Sequence, residues 1–304
     1  MILNYLRTIL IFLIVITPNQ IYANGLEFPI NNIPISSRVL GMGGAFTGQA
    51  DDISSSFYNP AGFINIKDKE ILAFKTKLQN ETDLYLISFG IKRNNNAFSI
   101  GWIEANVSGI PIIEKNIASP TEDIHEDAFT NYQNHLFNIA YSRKITDKFS
   151  LGFNNILSFG RFNNLYSNSK FYSLSIGLQY KTKQYFNFGL YFKDIINNYK
   201  FDNSKSERTL SKLITGFNLK PISSLNINFD FSMPLNKTIN SSNTCFGMEF
   251  CPKNFLDLRF GLYEKIPVFG ISLKNSFANI SYSYMVKSND FMGINNFLSI
   301  KLIF

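Results

Sequence analysis

From residue 71 to the carboxyl terminus the chain alternates apolar with small or polar residues, segment after segment, and nothing there approaches a transmembrane helix in length. Tyr172, Leu174, Ile176, Leu178 and Tyr180 alternate with Ser173, Ser175, Gly177 and Gln179. Leu225, Ile227, Phe229 and Phe231 alternate with Asn226, Asn228 and Asp230. The same period of two returns in Leu256–Leu262 and Ile280–Val286. A period of two is the signature of strands with two unlike faces. A soluble sandwich would carry Lys, Glu and Thr on its polar face. Here that face is Gly, Ser and Asn, which suits a crowded lumen, while the apolar face ends in Tyr and Phe, which suits lipid bounded by aromatic girdles. Hydrophobic residues make up 45% of the chain and aromatics 15%, yet mean hydropathy is only −0.02, so the apolar content is spread evenly rather than blocked into helices. The fold class expected is all-β, a transmembrane antiparallel β-barrel.

The segments begin near 71, 82, 97, 133, 149, 170, 185, 209, 224, 243, 254, 266, 277 and 294. That predicts about 14 strands, an even number, each long enough for the roughly 9 to 11 residues of a tilted membrane strand. The links at 92–96, 143–148, 181–184, 220–223, 251–253 and 274–276 are short. Those at 107–131, 160–169, 195–208, 232–242 and 287–293 are longer. Short turns face the periplasm in bacterial barrels, and long loops face outward. The last segment, Phe297 to Phe304, puts Leu298, Ile300, Leu302 and the terminal Phe304 on one face. Such an ending resembles the signal read by the barrel-assembly machinery, so Phe304 is the assembly residue expected.

At the other end, Arg7 precedes the apolar run Ile9–Ile16, then Thr17-Pro18 and Ile21-Tyr22-Ala23. This reads as a secretory signal peptide over 1–23, too short to span a bilayer as a helix. Residues 24–70 are then an N-terminal plug, or hatch, and 71–304 the barrel. The net charge of +7 would suggest nucleic acid in another setting. The basic residues are scattered through predicted turns of a secreted chain, so no nucleic-acid partner is expected. The partners expected are outer-membrane lipid and the assembly machinery, and the location is the bacterial outer membrane.

The hatch contains Arg38-Val39-Leu40-Gly41-Met42-Gly43-Gly44-Ala45, then Ala50-Asp51-Asp52, then Asn59-Pro60-Ala61-Gly62. Gly41, Gly43 and Gly44 permit a tight backbone path against a neighbour. Asp51 or Asp52 is suited to cap a short helical turn, and Asn59-Pro60 to stop it. The run from Arg38 to Gly62 resembles the start of the FadL-like superfamily of outer-membrane proteins, in particular its PorV/PorQ and UPF0164-type branch. The resemblance implies a barrel of about 14 strands with the N-terminal segment as a hatch in the lumen. It implies passive transport of a hydrophobic small molecule across the outer membrane or, in the PorV-like branch, a barrel that binds or anchors secreted protein cargo as a type IX secretion accessory.

Catalysis finds little support. His125 and His135 are the only histidines. His135 is followed by Leu136-Phe137 rather than by a serine two residues on, and no Gly-x-Ser-x-Gly elbow is present. No enzyme activity and no cofactor are expected. The acidic stretch Glu122 to Asp127 lacks the ligand spacing and glycine of a calcium loop, so it reads as a solvated loop and no metal is expected. Cys245 and Cys251, if on one strand, stand roughly 20 Å apart at about 3.3 Å per residue, beyond disulfide reach. They are expected to be free, with Cys245 facing the lumen. Alternation also turns Asp230, Glu249, Asp257 and Arg259 inward on three consecutive strands. Arg259 is placed to pair with one of these acids or with the hatch, as a structural ladder in preference to a substrate path.

Overall fold

The computed structural model describes residues 34–78, 82–111, 129–162, 168–182, 185–202, 205–235, 242–286 and 296–304. The expected signal peptide and the acidic stretch with His125 lie outside the described residues. Fourteen strands form one closed barrel. They are β1 (Lys69–Leu78), β2 (Thr82–Arg93), β3 (Asn96–Pro111), β4 (Phe129–Lys144), β5 (Phe149–Phe162), β6 (Asn168–Lys181) and β7 (Phe186–Phe201). Then come β8 (Lys212–Ile222), β9 (Leu225–Pro234), β10 (Asn243–Lys253), β11 (Leu256–Tyr263), β12 (Ile266–Lys274), β13 (Ala278–Met285) and β14 (Asn296–Ile303). Each pairs antiparallel with its sequence neighbours, and β1 closes on β14 from Glu70↔Ile303 to Thr76↔Phe297. Closure leaves no open edge, which a barrel in lipid requires.

The alternation sorts the two faces as expected. Ile87, Ile100, Ile139, Phe269 and Ile280 are exposed on the outside, while their neighbours Ser88, Asn138 and Ser281 are buried inside. Strand starts fall within four residues of the expected ones, and β1 begins at Lys69, so the hatch ends slightly earlier than read. Two features depart from the sequence reading. The eleventh and twelfth strands are joined on the long-loop side by only Glu264-Lys265, both at positive φ (48° and 77°). A Glu-Lys pair gives no turn signal of the Asn-Gly kind. And β7 continues to Phe201 through part of the expected 195–208 loop, because a bulge sets Lys193, Asp194 and Ile195 opposite the single Ser175. A bulge interrupts the count of two on which the reading relied.

The lumen divides along its axis. In the half nearer the short turns the inward residues are small, polar or charged, and the hatch fills the space. In the half nearer the long loops Phe74, Leu84, Leu86, Ile103, Leu136, Phe171, Val268, Met285 and Phe297 face inward and are buried, beside polar Thr76, Asn134, Ser158, Asp194 and Asn197. This corrects the expectation of a uniformly small and polar lumen.

Candidate functional site

The hatch comprises helix α1 (Ser37–Gly41), helix α2 (Ser55–Tyr58) and a 3-10 helix (Pro60–Asn65). Ser36 caps α1 through its side-chain oxygen, which accepts from Val39 N. Neither expected aspartate caps α2, whose N-cap is Ser54 with no side-chain cap; Asp52 Oδ1 accepts from Ser54 N at 2.9 Å in the preceding turn, and Asp51 is drawn to Arg38. Asn59 adopts the extended backbone that stops α2, and its side chain accepts from Ala61 N to start the 3-10 turn with Pro60 in its first position.

This small-residue piece meets the wall all the way round. On one side α1 packs against β11 to β14. Opposite it, Ser142 and Ser150 Oγ donate to Ala61 O at 3.0 and 2.8 Å, and Asn59 Nδ2 donates to Leu178 O at 3.2 Å. Gln179 Nε2 donates to Gly48 O at 3.0 Å, and Asp230 Oδ2 accepts from Phe46 N and Thr47 N at 3.0 and 2.9 Å. On β1, Glu70 accepts from Ile53 N at 2.9 Å. Such contact of backbone on backbone needs glycine in the wall. A Cβ on Gly261 would land on Gly43 N, and one on Gly152 on the Pro60 carbonyl carbon. Within the hatch, Gly43 holds φ +62° against Leu262 N, a left-handed backbone that favours glycine.

Charge fixes the same piece a second time. Arg38 Nη1 lies 2.7 Å from both Asp51 Oδ1 and Asp52 Oδ2, and its Nη2 and Nε reach Glu249 at 2.9 and 3.0 Å. Glu249 also accepts from Arg259 Nε at 2.7 Å, and Arg259 continues to Asp257 at 3.2 Å. Lys301 Nζ completes the set on Asp52 at 3.1 Å, and Lys274 on Asp257 at 2.5 Å. A buried charge is tolerated only when paired and hydrogen-bonded. Burial opposes ionisation of Asp52, but Lys301 and Arg38 outweigh it and hold the carboxyl well below the usual carboxylate range. Burial likewise disfavours the Arg38 cation, and Asp51, Glu249 and Asp52 outweigh it to raise its pKa. Tyr58, buried against Phe46, has its phenol pushed upward by desolvation.

Above the hatch the inward apolar side chains pack against one another and against Leu40, Ile53 and Phe63 of the hatch, with Phe74 and Phe297 stacked at 6.3 Å between ring centroids. Beside them, β7 runs on past its pairing with β8. Its ladder with β8 stops at Lys193↔Lys212, and the upper strand is met by 205–211 through one bridge, Tyr199↔Glu207. Asn197 bridges the rest, accepting from Thr209 N at 2.7 Å and donating to Thr209 O at 3.2 Å.

The structure brings together most of the residues singled out from sequence. Arg38, Gly41, Gly43, Gly44, Asp51, Asp52, Asn59, Pro60, Ala61 and Gly62 form the hatch and its contacts. Asp230, Glu249, Asp257 and Arg259 all face inward and are buried. Arg259 does pair with two of these acids, and through Glu249 with the hatch. Asp230 stands apart from that network and binds hatch backbone instead. Phe304 lies at the exposed end of the barrel, its backbone paired with Lys69. Cys245 and Cys251 are free and both on β10, with Cys245 inward beside Gly44. His135 points outward and stacks on Trp102 at 6.0 Å. Sequence reasoning missed Glu70, Lys274 and Lys301, although the alternation that turned Glu249 inward turns these inward too.

No protein-family model matches the chain, and no curated protein does. Solved structures similar to it include the Pseudomonas putida toluene transporter TodX, at 12% identity over 88% of this chain and 97% of that one, with a TM-score of 0.60. The CymD monoaromatic hydrocarbon channel matches at 10% identity over 89% and 97%, with a TM-score of 0.59. A Pseudomonas aeruginosa FadL homologue matches at 11% identity over 89% and 98%, with a TM-score of 0.55. The fold is therefore FadL-like.

Proposed function

We propose that this protein is an outer-membrane channel through which hydrophobic small molecules diffuse passively, without cofactor or covalent chemistry. The observation that carries the reading is the cluster of apolar side chains lining the lumen above the hatch. Barrel lumens are ordinarily polar, and burying Phe74, Leu86, Ile103, Leu136 and Phe297 together inside one makes a compartment suited to a guest without charge. Each apolar side chain so buried gains about 1.5–3 kcal/mol over exposure to water, and an apolar ligand entering the chamber would be held by the same effect. The hatch beneath fills the lumen, and above Lys193 the β7–β8 seam is held by the Tyr199–Glu207 bridge and by Asn197. The likeness in fold to TodX and CymD agrees with this use.

Uptake of radiolabelled toluene by cells making the protein tests it. Leu86→Asp puts a charge on the chamber wall and should bring uptake down to that of cells lacking the chain, while the heat-modifiable gel band of a folded barrel persists. Uptake no faster than in those cells for the unaltered protein would refute the reading. The likeness of Arg38–Gly62 to the PorV/PorQ branch supports a second reading, a barrel anchoring secreted proteins. Detergent-purified protein that retains a secreted partner and no hydrophobic ligand would favour that one.

A further inference from the structure

At the short-turn end of the lumen, six of the seven strands that descend toward it carry a lysine in their last few residues. They are Lys92 on β2, Lys144 on β4, Lys181 on β6, Lys220 on β8, Lys274 on β12 and Lys301 on β14. On β10 the equivalent residue is Cys251. Register partners place four of them on the inward face. Lys92 lies opposite buried Ala97 and Lys144 opposite buried Ser150, while Lys274 and Lys301 both lie opposite buried Asn279. Lys181 follows, two residues on, the inward Gln179, and Lys220 is exposed where the β8–β9 register shifts at the same end.

Half of this ring is neutralised. Lys301 is bound to Asp52, Lys274 to Asp257 and Lys144 to Asp147. The other half is not. Lys92 Nζ has a carbonyl, Ile66 O at 3.3 Å, and no ion-pair partner among the described residues. Among the described residues Lys181 and Lys220 have no ion-pair partner, and Lys181 lies within electrostatic reach of both Lys92 and Lys220. The one acid that reaches Lys181, Asp51, is already held by Arg38 at 2.7 Å. On the outer rim of the same end Asp68 is paired with Arg93, so it does not offset the surplus.

Like charges gathered at a mouth repel one another and attract an incoming anion, and the low-dielectric wall focuses that field. Lipid headgroups lie outside the wall, where lumen-facing ammonium groups are not presented. The charge pattern fits an extended chain of carboxylates. We propose that the short-turn mouth of the lumen is a docking site for an acidic polypeptide segment, seated on Lys92, Lys181 and Lys220. This does not depend on what the chamber above the hatch carries.

The test uses the full-length protein in nanodiscs of zwitterionic lipid, with a fluorescein-labelled deca-glutamate peptide as probe and fluorescence anisotropy as readout. Binding is expected at low salt and should weaken as salt rises. Lys92→Gln/Lys181→Gln/Lys220→Gln should weaken it about tenfold or more, three charge contacts being lost. Arg93→Gln/Arg143→Gln/Lys253→Gln, on the outer rim, should change it far less. A gel shift on heating establishes that each variant is folded. Should the triple variant fail to fold, Lys181→Gln/Lys220→Gln removes no hydrogen bond seen in the structure and carries the same test. No binding by the unaltered protein, or equal binding by the inward variant, would overturn the proposal. So would loss confined to the outer-rim variant with competition by anionic vesicles, which would identify a lipid-headgroup surface instead.

Discussion

Replacing Arg38 by methionine should loosen the hatch without unfolding the barrel. The guanidinium is the one cation on the hatch that bridges its own acids, Asp51 and Asp52, to Glu249 on the wall, and its side chain is 13% exposed. Removing one partner of a buried pair costs about 3–5 kcal/mol, because a charge is left behind without its counter-ion. Here the lower end applies. Asp52 keeps Lys301, Glu249 keeps Arg259, and Asp51, at 35% exposure, is within reach of water. A loss of about 3 kcal/mol corresponds to a change on the order of a hundredfold in the ratio of seated to unseated hatch. Single-channel recording in planar bilayers reads this as openings that the unaltered protein shows rarely, and protease cleavage between Arg38 and Gly62 should quicken in parallel. Arg38→Lys should fall between the two, since an ammonium keeps the charge but not the planar fork that holds three carboxylates. An Arg38→Met protein as quiet and as protected as the unaltered one would refute the reasoning, and would mean that the glycine-lined steric fit alone holds the hatch.

Two further outcomes follow from the same geometry. Gly261→Ala should lower the temperature at which the gel shift occurs, because the new Cβ falls on Gly43 N and overpacking of this kind costs about 1–3 kcal/mol; an unchanged midpoint would show that the hatch can move aside freely. Asp52 titrates lower in the folded protein than when unfolded, so its contribution to seating the hatch should be complete above the ordinary carboxylate value of about 4 and be lost progressively as pH falls below it. Protease protection of the hatch measured against pH should show that decline, and Asp52→Asn should flatten it.

The fourteen strands, their closure and the inward facing of Asp230, Glu249, Asp257 and Arg259 were legible because a period of two sets the face of every residue once the strand is recognised. The β7 bulge was not, since Ile195 and Ile196 both face outward and break the alternation. Nor was the partner of Arg38. The motif says that an arginine precedes the glycines, but Glu249 lies 211 residues away in sequence, and only the barrel's curvature brings β10 beside α1. The wall glycines that receive the hatch read as ordinary small lumen residues until the hatch is seated against them.

What was legible and passed over is the order of the inward residues along a single strand. On β2 they run Leu84, Leu86, Ser88, Gly90, Lys92, and on β14 Phe297, Ser299, Lys301. On β6 they run Phe171, Ser173, Ser175, Gly177, Gln179, Lys181. Over these stretches each passes from apolar through small to cationic as the strand descends, although Ser169 precedes Phe171 on β6 and Ile303 follows Lys301 on β14. Alternation alone assigns these residues to one face and treats them as equivalent. Their sequence along that face is a second signal, and it separates the lumen into a chamber, a seat and a charged mouth. The seat must be small because the hatch backbone occupies it. The chamber must be apolar to exclude water from above the seat, and the lysines at the end of each series lie where bulk solvent begins. A transport role for the chamber and a docking role for the mouth thus rest on different stretches of the same strands. Leu86→Asp and Lys181→Gln/Lys220→Gln should therefore act independently, each weakening its own readout while leaving the other intact.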